Sequence, residues 1–347
     1  MTTAVAPRSA GADLELGTLT LERGDRLPGA RLHYRILGNP AAGDANGWIL
    51  VFHALTGSAD VDAWWGPLVG PGRALDTERH AVLAANLLGS CYGSTSPIPW
   101  QAEHGRAFPV LTTLDLARAH TALIEHLGIR RLALATGGSL GGMVALQWGR
   151  VSPVPVDRLV VFAAPAATSA QAIAWNAAQR MAIEADPRWH NGWYARGAGP
   201  EAGLAAARAI AMITYRSALE FEQRFGRGSL RHLGRFDADH YLRRQGEKLV
   251  ARFDAASYVS LMQAMDLHDA GDFAAAATAT AERVEEIVGV GIDSDILYYP
   301  GEVQAWVEGY RATGANARYE EIASVYGHDA FLIEFEQVAK LLVSNAR

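Results

Sequence analysis

Short apolar runs recur along the chain and alternate with stretches of helical periodicity. The runs are Trp48–Phe52, Ala81–Leu88, Arg131–Thr136, Arg158–Ala164, Ile287–Ile292 and Ala317–Ala323. Runs of this length are typical of strands that are buried on both faces of a sheet. Amphipathic helices, such as one over Thr112–Leu127, are predicted between them. The pattern predicts an α/β fold with a mostly parallel sheet and helices on both of its faces.

The helical periodicity is uninterrupted in the second half of the chain. From residue 168 to residue 285 the sequence shows helical segments and no convincing strand. We interpret this segment as a helical lid inserted into a core that residues 13–167 and 286–347 form. Residues 1–12 are rich in Ala, Thr, Ser and Pro and predict a disordered tail.

Two further strands are predicted ahead of the apolar runs. The segments LELGTLTLE and ARLHYRILG, within residues 14–38, both have strand character. Pro28-Gly29 lies between the two segments. Because Pro-Gly is a strong turn signal, we expect the turn at this dipeptide.

One serine lies at a glycine-rich turn between a predicted strand and a predicted helix. The pentapeptide Gly137-Gly138-Ser139-Leu140-Gly141 has the pattern Gly-x-Ser-x-Gly. A serine at such a turn has strained backbone angles, and its hydroxyl stands clear of the sheet. The N–H of Leu140, at the start of the helix, can donate to an oxyanion. The sequence therefore predicts an α/β-hydrolase fold with Ser139 as its nucleophile; the alternative is an ordinary glycine-rich turn.

In an α/β-hydrolase the acid and then the base follow the serine along the chain. Of the five histidines after Ser139, only His328 lies in a loop after the last predicted strand. Asp295 follows the preceding strand and is the predicted acid, with Asp293 as the alternative. His328 would accept the serine proton, and the carboxylate would fix the tautomer of its imidazole.

The loops after two earlier strands hold further candidates. The N–H of Leu55 is the predicted second oxyanion donor, because this fold places that donor after a strand ahead of the serine. We interpret His53 as a structural histidine that shapes the same loop. Cys91 lies in a glycine-rich loop, but no base or helix N-terminus is adjacent in sequence, so we interpret it as a bystander.

Residues of the predicted lid could bind a substrate. Arg208 and Tyr215 are seven residues apart on one predicted helix, so they share a face. Arg208 has apolar neighbours and is either a snorkelling surface residue or a clamp for a carboxylate. Asp329, next to His328, could take an ammonium group. Together the three would hold an amino acid, an interpretation that spacing alone leaves open.

Composition narrows the range of functions. The net charge of −6, without a basic run, argues against a nucleic acid or an anionic membrane as partner. The single cysteine precludes an intrachain disulfide and fits the cytoplasm. We expect neither a signal peptide nor a membrane-spanning segment. No metal is expected, because no His/Cys/carboxylate cluster has ligand spacing.

The sequence resembles the homoserine O-acyltransferases of the α/β-hydrolase superfamily. The resemblance extends over nearly the whole chain after the tail, in HALTGSADV, WWGPLVGPGRALDT, NLLGSCYGST, GGSLGGMVALQW, QRMAIEADPRW, GLAAARAIAMITYRS, RFDAASY, SDILYYP and GHDAFL. It implies an acyl-CoA donor, an acyl-enzyme, and transfer to the side-chain hydroxyl of L-homoserine in methionine biosynthesis. It implies catalytic and substrate-binding roles for Ser139, Asp295, His328, Arg208, Tyr215 and Asp329. It also implies no bound cofactor and a homodimer joined through the lids, with a tunnel for the CoA arm.

Two positions concern the identity of the substrates. Family members that use succinyl-CoA commonly have an arginine two residues after the triad aspartate, where this chain has Leu297. Leucine offers no cation for a free carboxylate, so acetyl-CoA is the expected donor. The usual glycine after Ser94-Thr95 is Ser96, in a segment shorter than is usual in the family. L-serine as acceptor, a succinyl donor and a plain esterase therefore stay open as alternatives.

Overall fold

A computed structural model describes residues 11–227, 236–271 and 273–343. The strands are β1 (Ala12–Thr20), β2 (Arg26–Leu37), β3 (Trp48–Phe52), β4 (Val82–Ala85), β5 (Leu132–Gly138), β6 (Val156–Phe162), β7 (Val284–Ile292) and β8 (Ala317–Ile322). The α-helices are α1 (Pro40–Asn46), α2 (Val61–Trp64), α3 (Pro97–His104), α4 (Thr113–His126), α5 (Leu140–Val151), α6 (Ala170–Glu184), α7 (Glu201–Tyr215), α8 (Ala218–Phe225), α9 (Asp237–Val250), α10 (Ala255–Asp266), α11 (Phe273–Ala281), α12 (Pro300–Ala312) and α13 (Phe335–Leu342). Short 3₁₀ helices span Gly66–Leu68, His190–Gly192 and Gly327–Leu332.

The eight strands form one sheet in the order β1-β2-β4-β3-β5-β6-β7-β8. The ladders β1–β2 and β2–β4 are antiparallel, and every ladder from β4 to β8 is parallel. The predicted α/β fold with a mostly parallel sheet is confirmed. The parallel strands all end at one edge of the sheet, which is where such folds bind ligands.

Both faces of the sheet are buried, as the apolar runs predict. In β3, Trp48, Leu50 and Phe52 pack into one hydrophobic cluster, while Ile49 and Val51 pack into the other. Successive side chains of a strand point to opposite faces, so a strand between two layers of helices must be apolar at every position. This is why β3 reads as an uninterrupted apolar run rather than as an alternating one.

The predicted helix before β5 is confirmed, and its first turn explains where it begins. Thr112 accepts a hydrogen bond from the N–H of Asp115, and the Asp115 carboxylate accepts one from the N–H of Thr112. This capping box satisfies backbone donors that the helix leaves without partners. Between β6 and β7, the regular elements of the described residues are all helices. Their treatment as a separate lid, residues 168–285, stays a prediction.

The predicted turn at Pro28-Gly29 is wrong. The chain reverses at residues 21–25, where Gly24 has φ +89° and its N–H donates to the carbonyl of Leu21. Pro28 and Gly29 lie inside β2, opposite a register shift of the β1–β2 ladder. A bulge tolerates a proline because the missing N–H is not needed by the ladder. The Pro-Gly signal therefore marks a bulge here.

Smaller differences concern the ends of elements and helices that the sequence did not reveal. β1 begins at Ala12, the last residue of the predicted tail, and residues 1–10 lie outside the described residues. Helices α1 and α3 begin at prolines. Proline suits the first turn of a helix because its N–H would have no partner there. No helix in the described part of the chain is long and apolar enough to cross a membrane.

One close contact between β7 and α12 gives a test of the packing. A Cβ on Gly289 would lie 2.7 Å from the ring of Trp306 and closer still to Val307, so Gly289→Ala should destabilise the protein by about 1–3 kcal/mol. Gly301, in the first turn of α12, has open space around it. Gly301→Ala should be neutral or stabilising by up to about 1 kcal/mol. Urea unfolding of the two variants measures both changes; an equal loss would contradict the packing argument.

Candidate active site

Ser139 lies at the turn between β5 and α5 with a backbone conformation that is rare for its residue type. Its φ is 58° and its ψ is −128°, and the residue is 6% exposed. Such angles cost free energy, and they persist only where the surrounding structure holds them. The predicted strand–turn–helix geometry of a nucleophile elbow is therefore present at this serine.

The glycines on either side of Ser139 are required by close packing. A Cβ on Gly138 would lie 2.6 Å from Cδ2 of Phe331, and a Cβ on Gly141 would lie 2.8 Å from the carbonyl carbon of Phe52. Real Cβ atoms do not approach other heavy atoms so closely. The turn is therefore held between the end of β3 on one side and the 3₁₀ helix Gly327–Leu332 on the other.

That 3₁₀ helix carries His328, which is buried and bonded to a carboxylate. Nδ1 of His328 lies 2.6 Å from Oδ2 of Asp295. The other oxygen, Oδ1, accepts hydrogen bonds from the N–H of Leu297 at 2.8 Å and the N–H of Tyr298 at 3.1 Å. These bonds fix the carboxylate, and the carboxylate in turn fixes the orientation and tautomer of the imidazole. Leu297 itself is 5% exposed.

The electrostatics of His328 suit a proton acceptor. Burial lowers the pKa of this imidazole, but the charge of Asp295 and the hydrogen bond to it outweigh burial, so the pKa is raised. Nε2 of His328 is buried and has no hydrogen-bond partner among the described residues. The Ser139 hydroxyl is thus not in bonding geometry with Nε2, and catalytic bonds of this kind often close only around a substrate.

The alternative acid, Asp293, is placed elsewhere. Asp293 is exposed, and its Oδ1 accepts a hydrogen bond from the N–H of Ser324 at 2.9 Å. Because β7 ends at Ile292, the next two residues turn away before the chain brings Asp295 back over His328. The structure therefore pairs Asp295, and not Asp293, with the imidazole.

The loop after β3 holds the predicted second oxyanion donor. Leu55 is buried there, and Leu140 begins α5 on the other side of the turn. Nδ1 of His53 lies 2.8 Å from the carbonyl oxygen of Ala54. Nε2 of the same ring accepts a hydrogen bond from the N–H of Leu87 at 3.0 Å. Complete burial lowers the pKa of His53 to about 4, so this histidine is neutral. Its contacts agree with the structural interpretation.

Cys91 does not have the environment of a nucleophile. Burial raises the pKa of its thiol to about 12, so it carries almost no thiolate near neutral pH. Ser96, the residue where the family usually has glycine, precedes α3 and is buried. Helix α3 packs on β2, where Nε1 of Trp100 donates to the carbonyl of Pro28 at 2.9 Å. The short segment after Thr95 is therefore an ordered helix.

The three predicted substrate contacts converge on His328. The ring of Tyr215 lies 5.7 Å from the imidazole, and the guanidinium of Arg208 lies 5.3 Å from the ring of Tyr215. Asp329 follows His328 directly and is largely buried, with its side chain 16% exposed, and burial raises the pKa of its carboxyl. No carboxylate of the described residues forms an ion pair with Arg208, so its guanidinium is available to a ligand.

One residue of this cluster, Arg216, was not identified from the sequence. Nη2 of Arg216 lies 3.2 Å from Oδ2 of Asp329. If the predicted helix that holds Arg208 and Tyr215 continued past Tyr215, it would turn Arg216 about 100° away from Tyr215. Instead α7 ends at Tyr215, and Arg216 is extended with φ −119° and ψ 145°. Only the break between α7 and α8 brings this side chain to Asp329, and helical periodicity does not reveal it.

A metal site is not apparent beside these residues. Within residues 11–227, 236–271 and 273–343, no group of three or more His, Cys, Asp or Glu side chains could hold a metal ion. The polar groups that converge at the site are instead a serine, a histidine–carboxylate pair, and an arginine and a carboxylate that face the same space. Such an arrangement can form an acyl-serine and can bind a zwitterion.

Comparisons with known proteins identify the family to which this chain is similar. The model of a family described as alpha/beta hydrolase fold matches residues 47–258. A homoserine O-acetyltransferase from Moorella thermoacetica is 42% identical over 93% of this chain and 92% of its own. The crystal structure of a homoserine O-acetyltransferase from Staphylococcus aureus covers 96% of this chain and 94% of its own, with 27% identity and a TM-score of 0.77.

An esterase has the same fold at lower identity. Esterase E22 superposes with a TM-score of 0.83 at 21% identity, over 96% of this chain and 99% of its own. Identity this low is evidence for a shared fold alone. The relative from Moorella thermoacetica, in contrast, is 42% identical over almost the whole of both chains. The chain belongs to the homoserine O-acetyltransferase family of the α/β-hydrolase fold.

Proposed function

We propose that this protein transfers an acetyl group from acetyl-CoA to the side-chain hydroxyl of L-homoserine, a step of methionine biosynthesis. The observation that carries the proposal is the cluster around His328. There a buried histidine–aspartate pair adjoins both an arginine, Arg208, and a carboxylate, Asp329. An esterase needs the first pair only, whereas an amino-acid acceptor also needs a cation for its carboxylate and an anion for its ammonium group.

In the first half-reaction, Nε2 of His328 takes the proton of the Ser139 hydroxyl, and Oγ attacks the thioester carbonyl. The N–H groups of Leu55 and Leu140 stabilise the resulting oxyanion. The carbon–sulfur bond then breaks, and the CoA sulfur leaves with the proton that His328 holds. An acetyl-serine remains. Asp295 stabilises the imidazolium during this step without itself taking the proton.

In the second half-reaction, the roles are repeated with the acceptor in place of the serine. His328 takes the proton of the homoserine hydroxyl, whose oxygen attacks the acetyl carbonyl. The Ser139 oxygen leaves and recovers a proton from His328. Arg208 binds the acceptor carboxylate, Tyr215 packs between that cation and the imidazole, and Asp329 binds the ammonium group.

The acyl donor is proposed from Leu297. Its N–H supports Asp295, so its side chain lies near the triad, and it provides no cation for a succinyl carboxylate. No cofactor is needed, and acetyl-CoA acts as a co-substrate. We further propose that the protein works in the cytoplasm as a homodimer joined through the lid, whose helices expose Met181, Ile213 and Leu219.

The decisive experiment measures CoA release by the purified protein. Acetyl-CoA and succinyl-CoA are each supplied with L-homoserine, with L-serine or without acceptor. We expect fast release only with acetyl-CoA and L-homoserine together. A preference for L-serine would mean that L-serine, and not L-homoserine, is the acceptor. A preference for succinyl-CoA would refute the argument from Leu297. Equal release without acceptor would make water the acceptor and the protein an esterase, a function that the fold also supports.

The nucleophile is tested with two variants that remove the two candidate groups separately. Ser139→Ala should abolish the acetyl-enzyme and lower kcat by at least about 10³-fold, because no other group can carry the acyl chain. Cys91→Ala should still form the acetyl-enzyme, because burial keeps the Cys91 thiol protonated. Mass spectrometry of the protein after brief exposure to acetyl-CoA detects the adduct. An adduct that survives in Ser139→Ala would remove Ser139 from the mechanism.

The acid is tested in the same way, with its neighbour as the control. Asp295→Asn should lower kcat by roughly 10⁴-fold. Burial of His328 is then opposed only by the charge of Asp329, so the pKa of the imidazole falls and the acidic limb of kcat/KM moves to lower pH. Asp293→Asn, at the exposed alternative, should change kcat by no more than about threefold and leave the pH profile in place. Equal effects of the two substitutions would reverse the assignment.

A further inference from the structure

The break between α7 and α8 brings a lid side chain to the catalytic loop. α7 ends at Tyr215, Arg216 is extended, and Ser217 caps α8 by accepting a hydrogen bond from the N–H of Glu220. The hydroxyl of Ser217 also donates to the carbonyl of Val325, three residues ahead of His328. The break is thus fastened to the segment that carries the base.

A glycine makes this contact close. Gly327 has φ +65°, and a Cβ there would lie 2.8 Å from the N atom of Ser217 and 2.9 Å from the carbonyl carbon of Arg216. Any side chain at residue 327 would therefore push the break away from the catalytic loop. The backbone of the break and the backbone of the loop touch immediately before His328, so Arg216 has a fixed position relative to the base.

From that position Arg216 bridges two carboxylates, those of Asp329 and Glu220. Its guanidinium lies 3.2 Å from Asp329 and 3.5 Å from Glu220. The side chains of Arg216 and Asp329 are 15% and 16% exposed. Arg224, 3.2 Å from Glu220 and 48% exposed, is the outer end of this chain of charges. Among the described residues, Arg216 is the one cation within ion-pair distance of Asp329.

Asp329 needs such a partner because burial opposes its charge. Burial raises the pKa of this carboxyl, while Arg216, Arg208 and His328 lower it and Glu220 raises it. A neutral Asp329 could not form an ion pair with an ammonium group. Arg208 is the next cation, but in the proposed function its charge is used by the acceptor carboxylate. Arg216 is the cation that stays with Asp329 when the acceptor is bound.

We infer that Arg216 is a positioning residue that keeps Asp329 ionised and aimed at the acceptor ammonium group, so that the α7–α8 break couples the lid to the second half-reaction. The inference rests on the proposed function and deepens it. Arg216 does not touch the reacting atoms, and the acetyl-CoA half-reaction has no ammonium group to bind. Loss of Arg216 should therefore affect the two half-reactions unequally.

The test compares Arg216→Gln with Arg224→Gln, which removes a cation from the same Glu220 but not from Asp329. Single-turnover CoA release without acceptor measures the first half-reaction. The value of kcat/KM for L-homoserine measures the complete transfer reaction. Arg216→Gln should lower kcat/KM for L-homoserine by about 10–100-fold, because a charged partner of a buried carboxylate is lost. Its single-turnover release should change by less than about threefold, as should both quantities in Arg224→Gln.

A second acceptor separates positioning from general damage to the fold. 4-Hydroxybutanoate has the hydroxyl and the carboxylate of L-homoserine but no ammonium group. The preference for L-homoserine over 4-hydroxybutanoate should fall in Arg216→Gln by the same 10–100-fold factor. If Arg216→Gln does not fold, Arg216→Lys, which keeps the charge but not the planar donor pair, should show the same unequal loss to a smaller extent.

The outcomes separate this inference from the function on which it rests. If the wild-type protein transfers to L-homoserine and Arg216→Gln loses both half-reactions equally, or keeps its preference between the two acceptors, the role of Arg216 is refuted and the proposed function stands. If the wild-type protein shows no acceptor-dependent release, both the function and the inference fail.

Discussion

The backbone strain at Ser139 depends on the close packing of the glycine turn between β3 and the 3₁₀ helix that carries His328. A Cβ atom on Gly138 would collide with the ring of Phe331, and one on Gly141 with the end of β3, so the turn packs directly against both neighbours. This approach brings the serine, the oxyanion loop and the base to one place at the sheet edge. The rest of the catalytic arrangement follows from that contact, because each partner is attached to a strand of the same rigid sheet.

Hydrogen bonds between the backbone and Asp295, and between Asp295 and His328, orient the imidazole. The N–H groups of Leu297 and Tyr298 hold one oxygen of Asp295, and the other oxygen holds Nδ1 of His328. Nε2 is buried and has no hydrogen-bond partner among the described residues. Burial alone would lower the pKa of the histidine, and the neighbouring carboxylate reverses that direction. At Asp329, burial raises the pKa of the carboxyl, and the charges of Arg216, Arg208 and His328 act against that effect.

The helical segment between β6 and β7 places charged and aromatic side chains beside His328. Its helix α7 supplies Arg208 and Tyr215, and the break after α7 supplies Arg216. The contact of Ser217 with Val325, and that of Gly327 with the backbone of the break, hold the break against the loop that carries His328. The fold is shared with esterases, so specificity for an amino-acid acceptor has to come from such contacts and not from the sheet.

The parallel sheet and the order of the catalytic candidates follow from local sequence, because buried strands and the Gly-x-Ser-x-Gly turn are encoded in neighbouring residues. Which of two aspartates pairs with His328 was decided by the turn after β7, which points Asp293 to solvent. The bulge at Pro28-Gly29 depends on its pairing with β1. The role of Arg216 depends on the break between α7 and α8. The apolar periodicity continues through this break and therefore does not reveal it. In each case the deciding contact joins residues distant in the chain, and local patterns carry no information about it.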